Sequence, residues 1–171
     1  MAFKSKSTSK LSIDSPESLF ADIKSKKIRG LLTQQGDLLR EYASGFTTCP
    51  DVAAQLPTGS GKTLVALLIA EWRRLKYNER VVYLCPTIQL VNQVVDQACN
   101  DYGIEVEAFT GSARDYSAGA KMRYNSSQRI AVTTYSSLFN SNPFFDDPHL
   151  IASSVELVGE FVVLADLVRA S

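Results

Sequence analysis

The sequence predicts an α/β domain, three layers deep, with a mostly parallel sheet between helices. Three observations lead there. Short apolar runs suited to buried strands recur at residues 52–56, 81–85, 104–109 and 130–134. Helix-patterned segments stand between them, and a glycine-rich loop joins the first run to the helix that follows. Strands alternating with helices build βαβ units, whose crossovers place the strands parallel and cover both faces. The 171 residues are 45% hydrophobic and 21% charged, which is the balance of a globular chain with core enough for one domain.

The elements are justified in order. Residues 1–12 are poor in apolar side chains and are expected to be mobile. Leu31, Leu32, Leu38, Leu39 and Tyr42 carry a helical pattern, and Gly45 to Pro50 reads as a loop. A strand follows at 52–56, then the glycine loop, then a helix over 63–76 whose start is apolar almost all round and is therefore buried. The second strand, 81–85, is stopped by Pro86; the next helix, 89–102, sets Leu90, Val94 and Ala98 on one face, with Gly103 placed as its stop. Residues 104–109 make a third strand, 114–127 a polar stretch with room for a short helix, 130–134 a fourth strand, and 136–140 the opening of another helix. Residues 161–165 are apolar enough for a further buried strand.

Lys and Arg total 18, as do Asp and Glu, so a globally basic nucleic-acid binder is not indicated. The charge is uneven: residues 1–30 hold seven basic side chains against three acids. That excess suits a phosphate backbone, although a solvated tail is the plainer reading. Cys49, Cys85 and Cys99 stand at no metal-ligand spacing, which points to a reducing compartment. The longest clean apolar run, Leu64–Ala70, falls far short of the ~20 residues of a membrane span, and the start has no secretory pattern. No membrane is expected, and the location is read as cytoplasmic.

The strongest chemistry lies in Leu56-Pro57-Thr58-Gly59-Ser60-Gly61-Lys62-Thr63, set between strand and helix. Glycines there let backbone N–H groups turn inward around phosphate oxygens, and the helix beginning near Lys62 adds its positive end. Lys62 is the candidate catalytic residue, reaching the β- and γ-phosphates, and the Thr63 hydroxyl is a candidate Mg²⁺ ligand. Leu56 stands where the general pattern has glycine. A plain Gly-Ser turn before a helix cap is the rival reading, and six consecutive matching positions in the right context count against it.

Further segments extend the pattern: Leu32-Thr33-Gln34-Gln35 upstream, Pro86-Thr87-Ile88-Gln89-Leu90-Val91-Asn92-Gln93 after the second strand, then Phe109-Thr110-Gly111-Ser112 and Val132-Thr133-Thr134-Tyr135. Over roughly residues 28–150 the chain resembles the first RecA-like domain of superfamily-two helicases of the DEAD/DEAH-box type. Residues 57–63 look like that family's motif I and residues 86–93 like its motif Ia. The resemblance implies a three-layer RecA-like P-loop NTPase fold, ATP and Mg²⁺ as cofactors, and single-stranded or duplex nucleic acid as partner through backbone contacts. It also implies nucleotide contacts from Gln35, Pro57, Thr58, Gly59, Ser60, Gly61, Lys62 and Thr63, with Gln35 reading adenine. Pro86, Thr87, Gln93, Gly111, Thr133 and Thr134 would then face the nucleic acid. A small P-loop kinase is the other enzyme class open to the loop, and residues 86–93 argue against it.

The family also needs an Asp-Glu pair at the end of a hydrophobic strand, for Mg²⁺ and for the attacking water. Asp146-Asp147 follow only two apolar residues and precede Pro148, so a connecting loop is expected there. Asp166 has a proper strand ahead of it and is the chosen metal candidate, placed beside Thr63, but Leu167 stands where the Glu belongs. The expected organisation is a flexible basic segment at 1–27, a partial helicase ATP-binding domain at 28–151 and an atypical end at 152–171. The function read from this is the ATP-binding part of a helicase or translocase, inactive by itself, with a second helicase domain or subunit supplied elsewhere. The alternative is a non-catalytic nucleotide-binding or interaction fragment.

Overall fold

The computed structural model describes residues 13–49, 51–57, 59–140, 144–145, 149–153 and 161–166. The expectations placed on residues 1–12, on Thr58 and on Asp146 and Asp147 lie outside the described residues. Six strands form one sheet in the order β1-β6-β5-β2-β4-β3: β1 Asp51–Gln55, β2 Val81–Cys85, β3 Val106–Phe109, β4 Ile130–Thr134, β5 His149–Ser153 and β6 Phe161–Asp166. The pairs β3–β4, β4–β2 and β2–β5 are parallel, whereas β6 is antiparallel to both β5 and β1. Two reversals restore direction, so β1 runs with β2, β3, β4 and β5, and their carboxyl ends share one rim.

The sheet forms where the sequence offers two-sided burial. Every residue of β2 and β4 is buried, as continuous apolar runs in a central parallel pair require. Alternation divides β2 between the layers: Val81, Tyr83 and Cys85 join one core cluster, Val82 and Leu84 the other. The first layer holds α1 Pro16–Asp22, α2 Thr33–Glu41, α3 Lys62–Tyr77 and α4 Ile88–Gln97; the second holds α5 Ala118–Asn125 and α6 Tyr135–Asn140. Helix α3 is buried without a break from Leu64 to Ala70, as its all-round apolar start requires.

Several boundaries differ from expectation. Residues 16–22 belong to the domain rather than to a flexible leader. Ser15 caps α1 reciprocally with Ser18, and Leu19, Phe20 and Ile23 enter the core. Helix α4 is regular only to Gln97, then widens into a π-type turn over Ala98–Tyr102. Gly103 ends it with φ 67°; a Cβ there would lie 2.2 Å from Ser25 Oγ, so only glycine fits. Strand β3 starts at Val106 because the Ile104 N–H is taken by the Ala98 carbonyl at 2.9 Å. His149–Ser153 is a strand inside the sheet, paired with β2, where the sequence pattern ended in a loop.

At the far end of α3 from the glycine loop, Arg73 is buried and bonds Glu79 twice, at 2.6 and 2.9 Å. It also donates to the Tyr42 hydroxyl at 2.7 Å and the Thr47 carbonyl at 3.1 Å. Burial pulls its pKa down, but the bonds to Glu79 and Tyr42 more than offset this and the net direction is up. The cluster ties α3 to the turn that follows α2.

Candidate nucleotide site and nucleic-acid rim

The loop after β1 begins at Leu56, which is buried, and rises to Gly59 and Gly61, with φ 77° and 72°. These left-handed values are open to glycine at little cost. A Cβ on Gly59 would meet nothing within 4 Å, so the loop faces open space there. On Gly61 it would strike Gln35 Nε2 at 2.6 Å. The Ser60 N–H closes the turn on the Pro57 carbonyl at 3.1 Å, and its hydroxyl is buried without a hydrogen-bond partner among the described residues. Lys62 opens α3 and lays its ammonium across the loop onto the Pro57 carbonyl at 3.3 Å. A glycine-lined turn, a helix N-terminus behind it and a cation held loosely by one carbonyl fit a polyphosphate.

Gln35 is 4% exposed, and its amide makes two hydrogen bonds. Its oxygen accepts the Leu32 N–H at 2.9 Å, completing the start of α2, and its nitrogen donates to the Ser60 carbonyl at 2.5 Å. Placed so, Gln35 acts on the phosphate loop, bracing it from behind against α2. Gln35→Ala should leave the part-buried Leu32 N–H and the buried Ser60 carbonyl without this partner, costing about 1–3 kcal/mol in urea unfolding. Gln35→Glu should recover only the bond from Leu32. Equal midpoints for wild type and Gln35→Ala would show that the brace carries no stability.

Asp166 is corrected as a metal ligand of Thr63. Strand β6 does fill the slot beside β1, but in reverse: Gln55 faces Phe161 and Asp51 faces Ala165. Asp166 therefore lies past the start of β1, about 17 Å of strand from the loop end. Among the described residues no group of three His, Cys, Asp or Glu side chains is placed to hold a metal. Thr63, half-buried in the first turn of α3, keeps a hydroxyl beside the cradle as the residue able to ligand Mg²⁺.

The rim beyond β2, β3 and β4 carries the other candidates. Thr87 is exposed and caps α4, accepting the Leu90 N–H at 3.3 Å; Pro86 beside it is half-buried. Gln93 on α4 and Gly111 after β3 are exposed, Gly111 with φ 84°. Thr133 and Thr134 are corrected: both are buried inside β4. Thr133 donates to the Phe109 carbonyl at 2.5 Å, and Thr134 donates to Ser137 Oγ at 3.0 Å while accepting the Ser137 N–H at 3.1 Å. Their hydroxyls hold β3 to β4 and start α6, so the surface left for a strand is Pro86, Thr87, Gln93 and Gly111.

The family model described as DEAD/DEAH box helicase matches residues 33–158, most of the chain and all of the site. The chain belongs to the DEAD/DEAH box helicase family. A search of curated proteins gave no match. The matched stretch of this helicase domain begins at Thr33, the first residue of α2, so the Gln35 brace lies within it. Sequence reasoning missed that brace as a link between α2 and the loop. A polar residue three positions into a helix, preceded by a leucine in the capping position, was the available clue. The helicase domain's Cys85, at the loop-side end of β2, is buried, which pushes its thiol up to about 12 and leaves no thiolate nucleophile at neutral pH.

Proposed function

We propose that this helicase domain binds Mg²⁺–ATP on residues 56–63 and contacts a nucleic-acid backbone along Pro86, Thr87, Gln93 and Gly111. In a protein that also supplies a second helicase domain, binding and hydrolysis would drive movement on DNA or RNA. One observation carries the reading: the phosphate loop and this row lie at the same carboxyl-end rim, where open α/β sheets take their ligands. Backbone N–H groups of Gly59 to Lys62 would hold the phosphates, and the Lys62 ammonium would leave the Pro57 carbonyl for them. Mg²⁺ would neutralise phosphate charge, with the Thr63 hydroxyl as its protein ligand. Neutral Thr, Gln and backbone groups suit sequence-independent contact with phosphates and sugars.

The reversed β6 favours a second reading, a nucleotide-binding unit with little turnover of its own. The register of β6 carries Asp166 away from the loop, and loss of a water-activating group costs about 10²–10⁴-fold in rate. Titration with ATP and Mg²⁺, followed by turnover assays with and without single-stranded nucleic acid, tests both readings. The expected result is saturable ATP binding with turnover far below that of an ordinary helicase. Absence of ATP binding by the folded chain would overturn the first reading. Brisk turnover, stimulated by nucleic acid and unaffected by Asp166→Ala, would overturn the second. No helix among the described residues is long and apolar enough to cross a membrane, and the cytoplasm is the compartment we propose.

A further inference from the structure

The rim row of Pro86, Thr87, Gln93 and Gly111 carries no charge, but the segment that continues from it is basic. Residues 110–130 hold Arg114, Lys121, Arg123 and Arg129 against one acid, Asp115. The fold sorts these four cations by place. Arg123 meets Glu107 at 2.9 Å and Arg129 meets Glu105 at 2.7 Å, both at the amino ends of β3 and β4, away from the rim. Arg114 and Lys121 form no ion pair among the described residues.

Both bare cations stand at the carboxyl end of β3. Arg114 is exposed, three residues past Gly111. Lys121, in the first turn of α5, holds its ammonium 6.0 Å from the centre of the Tyr116 ring. The Tyr116 hydroxyl donates to the Gly111 carbonyl at 3.4 Å, which ties Lys121 to the rim. The loop between the two cations has a fixed shape. Tyr116 is 8% exposed and meets Phe109 edge-on at 4.9 Å. The Ser112 carbonyl accepts the Asp115 N–H at 2.9 Å, and the Ser112 hydroxyl accepts the Arg114 N–H at 3.3 Å. The paired cations thus lie where no ligand is expected, and the unpaired ones at the rim where open α/β sheets take their ligands.

We propose that Arg114 and Lys121 are the phosphate-binding cations of the nucleic-acid rim, and that the bound strand continues past Gly111 to the start of α5. This rests on the nucleic-acid reading above and adds the charge that its neutral contacts lack. Each cation laid on a phosphate displaces a condensed counterion, so its contribution depends on salt and not on base sequence.

Binding of a labelled single strand of mixed sequence to the full chain, followed from about 50 to 200 mM salt, tests this. Each phosphate contact to a single strand contributes about 0.7 to the slope of log affinity against log salt. Arg114→Gln together with Lys121→Gln should flatten the slope by about 1.4 and weaken binding about 25-fold near 0.1 M salt. Arg114→Lys together with Lys121→Arg keeps the charge and should keep the wild-type slope. Arg129→Gln removes a cation at the other end of the sheet and should leave the slope unchanged. Binding whose slope the Arg114→Gln, Lys121→Gln variant does not alter would overturn this assignment and leave the nucleic-acid reading standing. An equal flattening by Arg129→Gln would show a diffuse charge effect and also overturn it. A folded wild-type chain that binds no strand would overturn the nucleic-acid reading and this inference with it.

Discussion

Lys62→Ala should lower affinity for ATP about 30-fold, the equivalent of roughly 2 kcal/mol for one charge-assisted contact. The argument is local. Lys62 starts α3 and, among the described residues, makes a single 3.3 Å side-chain bond, to the exposed Pro57 carbonyl, so its removal leaves no buried partner behind there. Thermal unfolding of the variant should match wild type. Lys62→Arg should recover only part of the affinity, because a planar guanidinium does not replace a compact ammonium in a loop shaped by glycines. Calorimetric titration with ATP and Mg²⁺ measures the difference, and equal affinity for wild type and Lys62→Ala would remove the phosphate-loop assignment.

Arg73→Ala should produce the largest loss of stability, about 3 kcal/mol, because breaking a buried pair strands the partner that remains. The Arg73 side chain is 7% exposed and that of Glu79 29%, and the guanidinium also serves Tyr42 and Thr47. With total stability of roughly 5–15 kcal/mol for a domain, this is a large fraction. At a slope near 2 kcal/mol per molar, the urea midpoint should fall by about 1.5 M. Glu79→Ala in the Arg73→Ala background should add little, since the two act as one unit. Nucleotide affinity of whatever remains folded should be unchanged, because Arg73 lies eleven residues along α3 from Lys62, about 16 Å. An unmoved midpoint would show that the cluster is ornamental to the fold.

Particular residues show where sequence reading held and where it stopped. The glycine loop was legible because its requirement is local: positive φ at Gly59 and Gly61, then a helix N-terminus, within a few residues. Strands β2 and β4 were legible to the residue, since runs of Val, Leu, Ile and Tyr bounded by Pro86 or by polar residues suit two-sided burial. Helix α1 was not, because three apolar residues among serines and lysines matter only once α3 is there to receive them. The same holds for Thr133 and Thr134: a hydroxyl at a strand end reads alike whether it faces a ligand or a neighbouring carbonyl. Only the pairing of β3 with β4 puts the Phe109 carbonyl in front of Thr133.

By itself the sequence determined the α/β class, the order of elements from β1 to β4 and the glycine loop between β1 and α3. Each of these is written in short-range periodicity, in proline and glycine punctuation, and in the backbone freedom of two glycines. The tertiary structure alone decided which strand lies beside which, and in what direction. Side chains alternate with a period of two whichever way a strand runs, so the apolar run before Asp166 carries no sign of its polarity. That polarity puts Asp166 at the end of β1 away from Thr63. Tertiary packing likewise turned Gln35 onto the Ser60 carbonyl, because the amide takes the nearest unmet backbone groups once α2 is laid against the loop.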